Sequence, residues 1–197
     1  MKTLQSLLMA GSTILLMTLP VSAENLIEIN QPGNDNSATV SQTGDTDSNA
    51  VDQRADITQF GTFNTAETDQ FGNDNSALIL QYGSMDTASI EQTSDTNMAQ
   101  VTQELGSDNL ATSAQTGDSS NESTSYQAGD GNISNISQNG YANYSNIYQS
   151  GNRNEAYLDQ TGDLNNMNSG ELGISQYGDN NYATLSQQSY GSWANIN

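Results

Sequence analysis

From Asn36 onward, small or apolar residues recur at every second position over short stretches, and almost every stretch closes on a glutamine. In the run from Asn75 to Gln81, the residues Asn75, Ala77, Ile79 and Gln81 share one parity. The same parity links Asn64, Ala66, Thr68 and Gln70, then Asn154, Ala156, Leu158 and Gln160, then Asn181, Ala183, Leu185 and Gln187. A period of two puts these side chains on one side of an extended strand. The residues between them (Ser76, Leu78 and Leu80 in one copy, Glu155, Tyr157 and Asp159 in another) vary freely and are often charged. One face is specified and the other is solvated. Glycine followed by Asp, Asn or Ser comes next, as in GND, GDTD, GDGN and GDLN, the chemistry of tight turns that need positive φ. The pattern predicts a strand of about seven residues and a turn of about four, repeated, with no helix-period segment anywhere.

The repeated unit is N-x-A-x-φ-x-Q-x-G-x-x, eleven residues long, with φ an aliphatic or β-branched residue. Fourteen copies lie between Asn36 and the C-terminus, and all 13 that reach the last motif position carry glutamine there: Gln42, Gln59, Gln70, Gln81, Gln92, Gln103, Gln115, Gln127, Gln138, Gln149, Gln160, Gln176 and Gln187. The first column holds Asn36, Asn64, Asn75, Asn97, Asn109, Asn121, Asn132, Asn143, Asn154 and Asn181, with Asp86 in place of asparagine in one copy. The φ column is apolar in 11 of the 14 copies, the exceptions being Thr68, Ser113 and Ser125. Tandem repetition at a short fixed period predicts a solenoid.

A strand whose inner face offers one alanine and one aliphatic cannot hold a core alone. Stacked on copies of itself it can, because parallel strands repeat about every 4.8 Å and identical side chains then form ladders. Gln and Asn at the two ends of the inner face would each bond the same residue in the layers above and below, so buried amides are satisfied by repetition. Alanine in the middle, with Ser123, Ser134 and Ser145 as near-isosteres, lets two sheets lie close together. The expected fold is all-β: a two-sheet β-solenoid of strand–turn–strand repeats with 11-residue arms, 22-residue coils and about seven coils. The glutamine spacing stretches between Gln42 and Gln59, Gln103 and Gln115, Gln115 and Gln127, and Gln160 and Gln176. Those extra residues belong in turns, because an insertion within a strand would flip its whole face. Pairing the arms from the first copy puts three of the four insertions on one edge.

The N-terminus reads differently. Residues 1–23 carry an early Lys2, an apolar stretch from Leu7 to Leu19 and the small-residue site Val21-Ser22-Ala23, the layout of a secretory signal peptide rather than a membrane span. Residues 24–35 form a short N-terminal segment, and 36–197 the repeat domain. No other apolar run approaches spanning length, so no stable membrane insertion is expected.

Charge and composition narrow the function. Without Lys2 the mature chain has 2 basic residues, Arg54 and Arg153, against 23 acidic ones, a net charge of −21. Such a surface repels phosphates, which excludes nucleic-acid binding. With 0 Cys and 0 His there is no disulfide, no thiolate, and neither the commonest general base nor the commonest metal ligand. Hydrophobic content is only 33%, a composition that would by itself favour disorder were the residues not so strictly ordered.

The tandem units resemble the curlin repeats of curli, the extracellular amyloid fibres of Gram-negative biofilms. In those repeats Gln-x-Gly-x-x-Asn-x-Ala sits at the middle of a strand–turn–strand unit, and QFGTFNTA, QFGNDNSA, QSGNRNEA and QYGDNNYA fit that string here. The resemblance covers about Asn36 to Asn197. It implies a subunit exported unfolded across the outer membrane and then templated into a β-solenoid, a homopolymer with a nucleating minor subunit and outer-membrane export machinery as partners. No cofactor is implied. The chain lacks a long Gly-rich segment before its repeats and lacks the basic clusters of a membrane-attached nucleator, which leans the reading towards a polymerising subunit.

Three rival readings compete with this one. Acidic turns at Gly44-Asp45, Gly117-Asp118, Gly162-Asp163 and Gly178-Asp179 offer oxygen ligands for a calcium-binding extracellular β-solenoid adhesin module. The nonapeptide of calcium rolls is absent, however, and these aspartates are adequate turn formers. A carbohydrate-binding or ice-binding face would need a regular outer array, and Tyr82, Tyr126, Tyr144, Tyr148, Tyr157 and Tyr182 form no constant column. Catalysis by paired carboxylates finds only Asp86 at a specified inward position. The chain therefore reads as structural and not as an enzyme, with the Gln and Asn ladders as its functional residues.

Overall fold

The period-two alternation becomes sixteen strands in the computed structural model, which describes residues 3–8, 13–18, 25–44, 52–165, 173–188, 190–191 and 194–196. In chain order the first eight are β1 (Thr3–Leu8), β2 (Thr13–Thr18), β3 (Leu26–Gln31), β4 (Ser37–Thr43), β5 (Arg54–Gln59), β6 (Thr65–Phe71), β7 (Ser76–Gln81) and β8 (Thr87–Thr93). The second eight are β9 (Met98–Glu104), β10 (Leu110–Thr116), β11 (Glu122–Ala128), β12 (Ile133–Asn139), β13 (Tyr144–Ser150), β14 (Glu155–Thr161), β15 (Ile174–Tyr177) and β16 (Tyr182–Gln188). Odd-numbered strands form one eight-stranded sheet and even-numbered strands the other. Each strand thus pairs in parallel with the strand one coil away, not with its neighbour in sequence. No described residue is helical, so no helix among them could cross a membrane. The fold is an all-parallel β-solenoid of strand–turn–strand repeats, and β3 to β16 complete seven coils.

Register keeps like beside like. Gln70 pairs with Gln92, Gln115 with Gln138 and Gln160 with Gln187 in one sheet, while Gln59 pairs with Gln81 and Gln127 with Gln149 in the other. A slip of one residue would turn Ala77, Ile79 and Gln81 outward and Leu78 and Leu80 inward, which is why burial of one face sets the pairing so strictly.

Along β6 burial alternates without exception: Ala66, Thr68 and Gln70 are inside while Thr65, Glu67, Asp69 and Phe71 face solvent. Each buried isoleucine of the φ column contributes roughly 1.5–3 kcal/mol by leaving water. The core is divided into two apolar clusters, one from Ile27 to Ala111 and one from Ile136 to Leu185. Between them Ser113, Ser123, Ser125 and Ser134 are all buried. Ser113 and Ser123 meet across the core at 2.6 Å, and Ser125 and Ser134 share a similar hydroxyl contact.

The turns use left-handed backbone as expected. Gly72 has φ 111° and Asp74 φ 55°. A methyl group on Gly72 would stand 2.2 Å from the Ser94 carbonyl oxygen in the next coil, so both conformation and close approach require glycine there. Phe63 and Met85 occupy the position equivalent to Asp74 in their turns, with φ 59° and 57°, and are exposed.

Because strands alternate between sheets, all even-to-odd connections share one edge. The stretched spacings at β4–β5, β10–β11 and β14–β15 lie on that edge, and the one at β9–β10 lies opposite. Residues 45–51 and 166–172 of those connections are outside the described residues.

Towards the N-terminus the ladder runs further than the repeat count. Strand β3 falls inside the 24–35 segment, with Ile27, Ile29 and Gln31 buried beside Ala55, Ile57 and Gln59. Strands β1 and β2 pair with β3 and β4 from within residues 1–23. The Val21-Ser22-Ala23 site lies outside the described residues.

Candidate functional site: the polar ladders

Glutamine ends the inward face of every strand from β3 to β16, so the solenoid carries two continuous glutamine columns. In one, Gln31 donates to Gln59, then Gln59 to Gln81 at 2.8 Å, Gln81 to Gln103 at 2.9 Å, Gln103 to Gln127 at 3.0 Å, Gln127 to Gln149 at 3.0 Å and Gln149 to Gln176 at 2.8 Å. In the other, Gln42, Gln70, Gln92, Gln115, Gln138, Gln160 and Gln187 bond in turn at 2.7–3.0 Å. Every bond runs from Nε2 of one layer to Oε1 of the next towards the C-terminus. The second amide hydrogen is used across the core: Gln103 Nε2 also donates to the Thr87 carbonyl at 3.0 Å, and Gln138 to that of Glu122 at 2.9 Å. Each column therefore ties its own sheet together and clamps it to the opposite one.

A common bond direction leaves unlike groups at the two ends. Among the described residues, Oε1 of Gln31 and Gln42 accepts no hydrogen bond, and Nε2 of Gln187 donates none. The columns are short of donors at the β3–β4 end and short of an acceptor at Gln187.

The asparagines behave differently from a plain amide ladder. From Asn36 to Asn154 each asparagine Oδ1 accepts the backbone N–H of its counterpart one coil on, as in Asn64 N–H to Asn36 at 2.9 Å and Asn97 N–H to Asn75 at 2.9 Å. The amide nitrogen reaches a turn carbonyl of that next coil: Asn36 to Gly61, Asn64 to Gly83, Asn109 to Gly129, Asn121 to Gly140, Asn132 to Gly151 and Asn154 to Gly178, at 2.8–3.2 Å. Among the described residues, bonds between side chains of successive column members are added only from Asn109 onward, for example Asn143 to Asn121 at 3.1 Å and Asn181 to Asn154 at 3.0 Å. The asparagines are staples between turns, where the backbone leaves the sheet and would otherwise lack partners.

Asp86 is buried in this column and breaks it. Its Oδ1 accepts the backbone and side-chain N–H groups of Asn109, both at 3.0 Å, but Oδ2 has no partner. Burial pushes its carboxyl above the usual carboxylate range; the Asn109 bonds oppose that, while Asp108 and Asp130 add to it.

Sequence reading placed these columns and missed several members. Gln31 heads one glutamine column, Asn165 extends the asparagine column with a 2.9 Å bond to Asn143, and Gln53 fills an asparagine position, its Nε2 2.6 Å from the Gly72 carbonyl. The signal for the first was present, since Asn25, Ile27, Ile29, Gln31 and Gly33 follow the motif with isoleucine in place of alanine. Asn165 follows its glycine at the ordinary distance, and the insertion comes after it.

On the outer surfaces the turn aspartates have work within the fold. Asp95, Asp130, Asp163 and Asp179 each accept the backbone N–H of the turn one coil earlier, at 2.8–2.9 Å. Among the described residues no group of three or more carboxylates gathers to hold a metal ion. The tyrosines do meet in short runs: Tyr126 stacks on Tyr148 at 4.9 Å, and Phe60 on Tyr82 at 5.2 Å. Arg54 pairs along its own strand with Asp56 at 3.3 Å rather than across layers, an exposed contact of small consequence.

Compared with protein-family models, residues 23–61, 52–83, 72–104 and 140–168 match the curlin associated repeat. These spans cover more than half of the chain and include β3 to β9, β13 and β14. Among curated proteins none matches.

Proposed function

Because the chain belongs to the curlin repeat family, whose members are structural β-solenoids rather than enzymes, we propose that it is a secreted subunit of extracellular curli-like amyloid fibres. The subunits polymerise by stacking solenoid ends, and the fibre supports a biofilm matrix and cell adhesion. The supporting observation is the open, directional glutamine ladder: acceptors left over at Gln31 and Gln42, a donor left over at Gln187. Strand edges at both ends add unpaired backbone groups to the same appetite. On this reading residues 1–23 are a signal peptide, and their removal bares the edges of β3 and β4. A nucleating minor subunit and outer-membrane export machinery act before stacking begins, and the polymer needs no cofactor.

The test is thioflavin-T kinetics with fibre X-ray diffraction on the mature chain, with and without calcium. A lag, seeding by preformed fibres, and reflections near 4.7 and 10 Å without calcium are expected. A monomer that becomes β-rich only on addition of calcium would replace this reading with a calcium-folded adhesin module.

A further inference from the structure

One rung of the asparagine column is an acid. At Asn36, Asn64, Asn109, Asn132 and Asn154 the side-chain nitrogen donates to a glycine carbonyl in the following coil. At Asp86 the corresponding acceptor is Gly106. A methyl group built on Gly83 would stand 2.4 Å from Asp86 Oδ2 and 2.3 Å from the Gly106 carbonyl oxygen. At Gly33 the same construction meets Asn36 Nδ2 at 2.7 Å and the Gly61 carbonyl oxygen, and there Nδ2 bonds that oxygen at 3.2 Å. Asp86 Oδ2 thus sits where its neighbours place an amide nitrogen, buried, facing an acceptor and bonded to nothing.

We propose that Asp86 is a proton-gated rung: as a neutral acid it stands in for asparagine, donating from Oδ2 to the Gly106 carbonyl, and on ionisation it sets two oxygens against each other and loosens the coil. The chemistry needs only a proton from water. Asn64 and Asn109, on the coils either side, are neutral, and the charged groups facing Asp86 are Asp108 and Asp130 in the neighbouring turns, both acidic. Burial and then Asp108 and Asp130 favour the protonated form, against the two Asn109 hydrogen bonds to Oδ1, and the net direction is upward. With a folded-state pKa above the unfolded one, the coil binds the proton more tightly than the open chain. The penalty is therefore absent below the unfolded value, grows as pH rises, and is complete above the folded value. This inference concerns bonds inside one chain and stands whether or not the chain polymerises.

The experiment follows the Asp86 carboxyl carbon by NMR from pH 3 to pH 8 in the folded chain. Beside it, urea midpoints are measured across the same range for the wild type, Asp86→Asn and, as a turn control, Asp163→Asn. Expected are an Asp86 titration above the ordinary aspartate range, and a wild-type midpoint that matches Asp86→Asn in acid and falls below it as Asp86 ionises. The Asp163→Asn difference should not follow that titration. Asp86 titrating at or below the ordinary range, or a midpoint difference between wild type and Asp86→Asn that does not change with pH, overturns the proposal. Because asparagine is the residue found on neighbouring rungs, Asp86→Asn retains the fold.

Discussion

Gln103 accepts a bond from Gln81, donates one to Gln127 and donates another to the Thr87 carbonyl, all from a fully buried side chain. Truncation strands a donor above it, an acceptor below it and a carbonyl opposite. Each buried polar group left unpaired costs about 1–3 kcal/mol, so Gln103→Ala should lose roughly 3 kcal/mol or more. Gln100→Ala, on the half-buried outer face of the same strand, should lose under about 0.5 kcal/mol in the same denaturation series. Equal losses at the two positions would show that the ladder adds nothing beyond strand pairing. A second residue-scale expectation concerns Tyr126, whose pKa is pushed up to about 12 by burial and then by the Glu104 carboxylate that accepts its hydroxyl at 2.9 Å. Ultraviolet titration should show Glu104→Gln lowering that value, since the charge opposing ionisation is gone. An unchanged titration would mean that the contact does not persist in solution.

At the scale of elements, each strand is defined by which face it buries, and a strand and a turn respond differently to the same change. One residue inserted inside β7, after Leu78, moves Ile79 and Gln81 to the outside and should abolish a cooperative transition. One residue inserted in the β10–β11 turn, on the edge that carries three of the four natural insertions, should shift the urea midpoint only slightly. Comparable loss from both would contradict the division between a specified face and tolerant connections. The serine-filled coils between β10 and β12 make a further element. They separate two apolar clusters, and their hydroxyls satisfy one another across the core. Ser123→Ala alone leaves the Ser113 hydroxyl buried without that partner and should cost about 1–3 kcal/mol. Ser113→Val combined with Ser123→Ala removes both hydroxyls and should recover most of that loss, because replacing both partners by apolar groups can be close to neutral. A double variant no more stable than the single one would place the cost elsewhere than in the orphaned hydroxyl.

For the molecule as a whole, charge and stacking oppose each other. A mature chain of net charge −21, with acidic residues repeated coil after coil, repels any copy that approaches its end. Protonating the carboxylates removes that repulsion, so polymerisation should be faster near pH 4 than at pH 7, and added salt at neutral pH should shorten the lag in the same direction. Lag times that fail to shorten on acidification would count against stacking limited by charge. Asp86→Asn separates the two acid effects, since removing one buried carboxyl leaves nearly all of the surface charge in place.

The order of residues alone determined the strands, their inward faces, the eleven-residue arms and the pairing of glutamine with glutamine. These follow from local rules: period two selects the face, glycine and aspartate select the turn, and burial of one face selects the register. It also marked Asp86 as the odd member of its column. Tertiary structure alone decided that all glutamine bonds point the same way, that asparagine staples turns to backbone rather than forming a simple amide ladder, and that Oδ2 of Asp86 faces a carbonyl. Those outcomes depend on rotamers chosen against groups 19 or more residues away in the chain, which no local pattern specifies. The extra arm at β3 lay between the two cases. Its motif was written in the sequence with Ile27 where alanine is usual, and only the fit of that larger side chain beside Ala55 showed that the column accepts it.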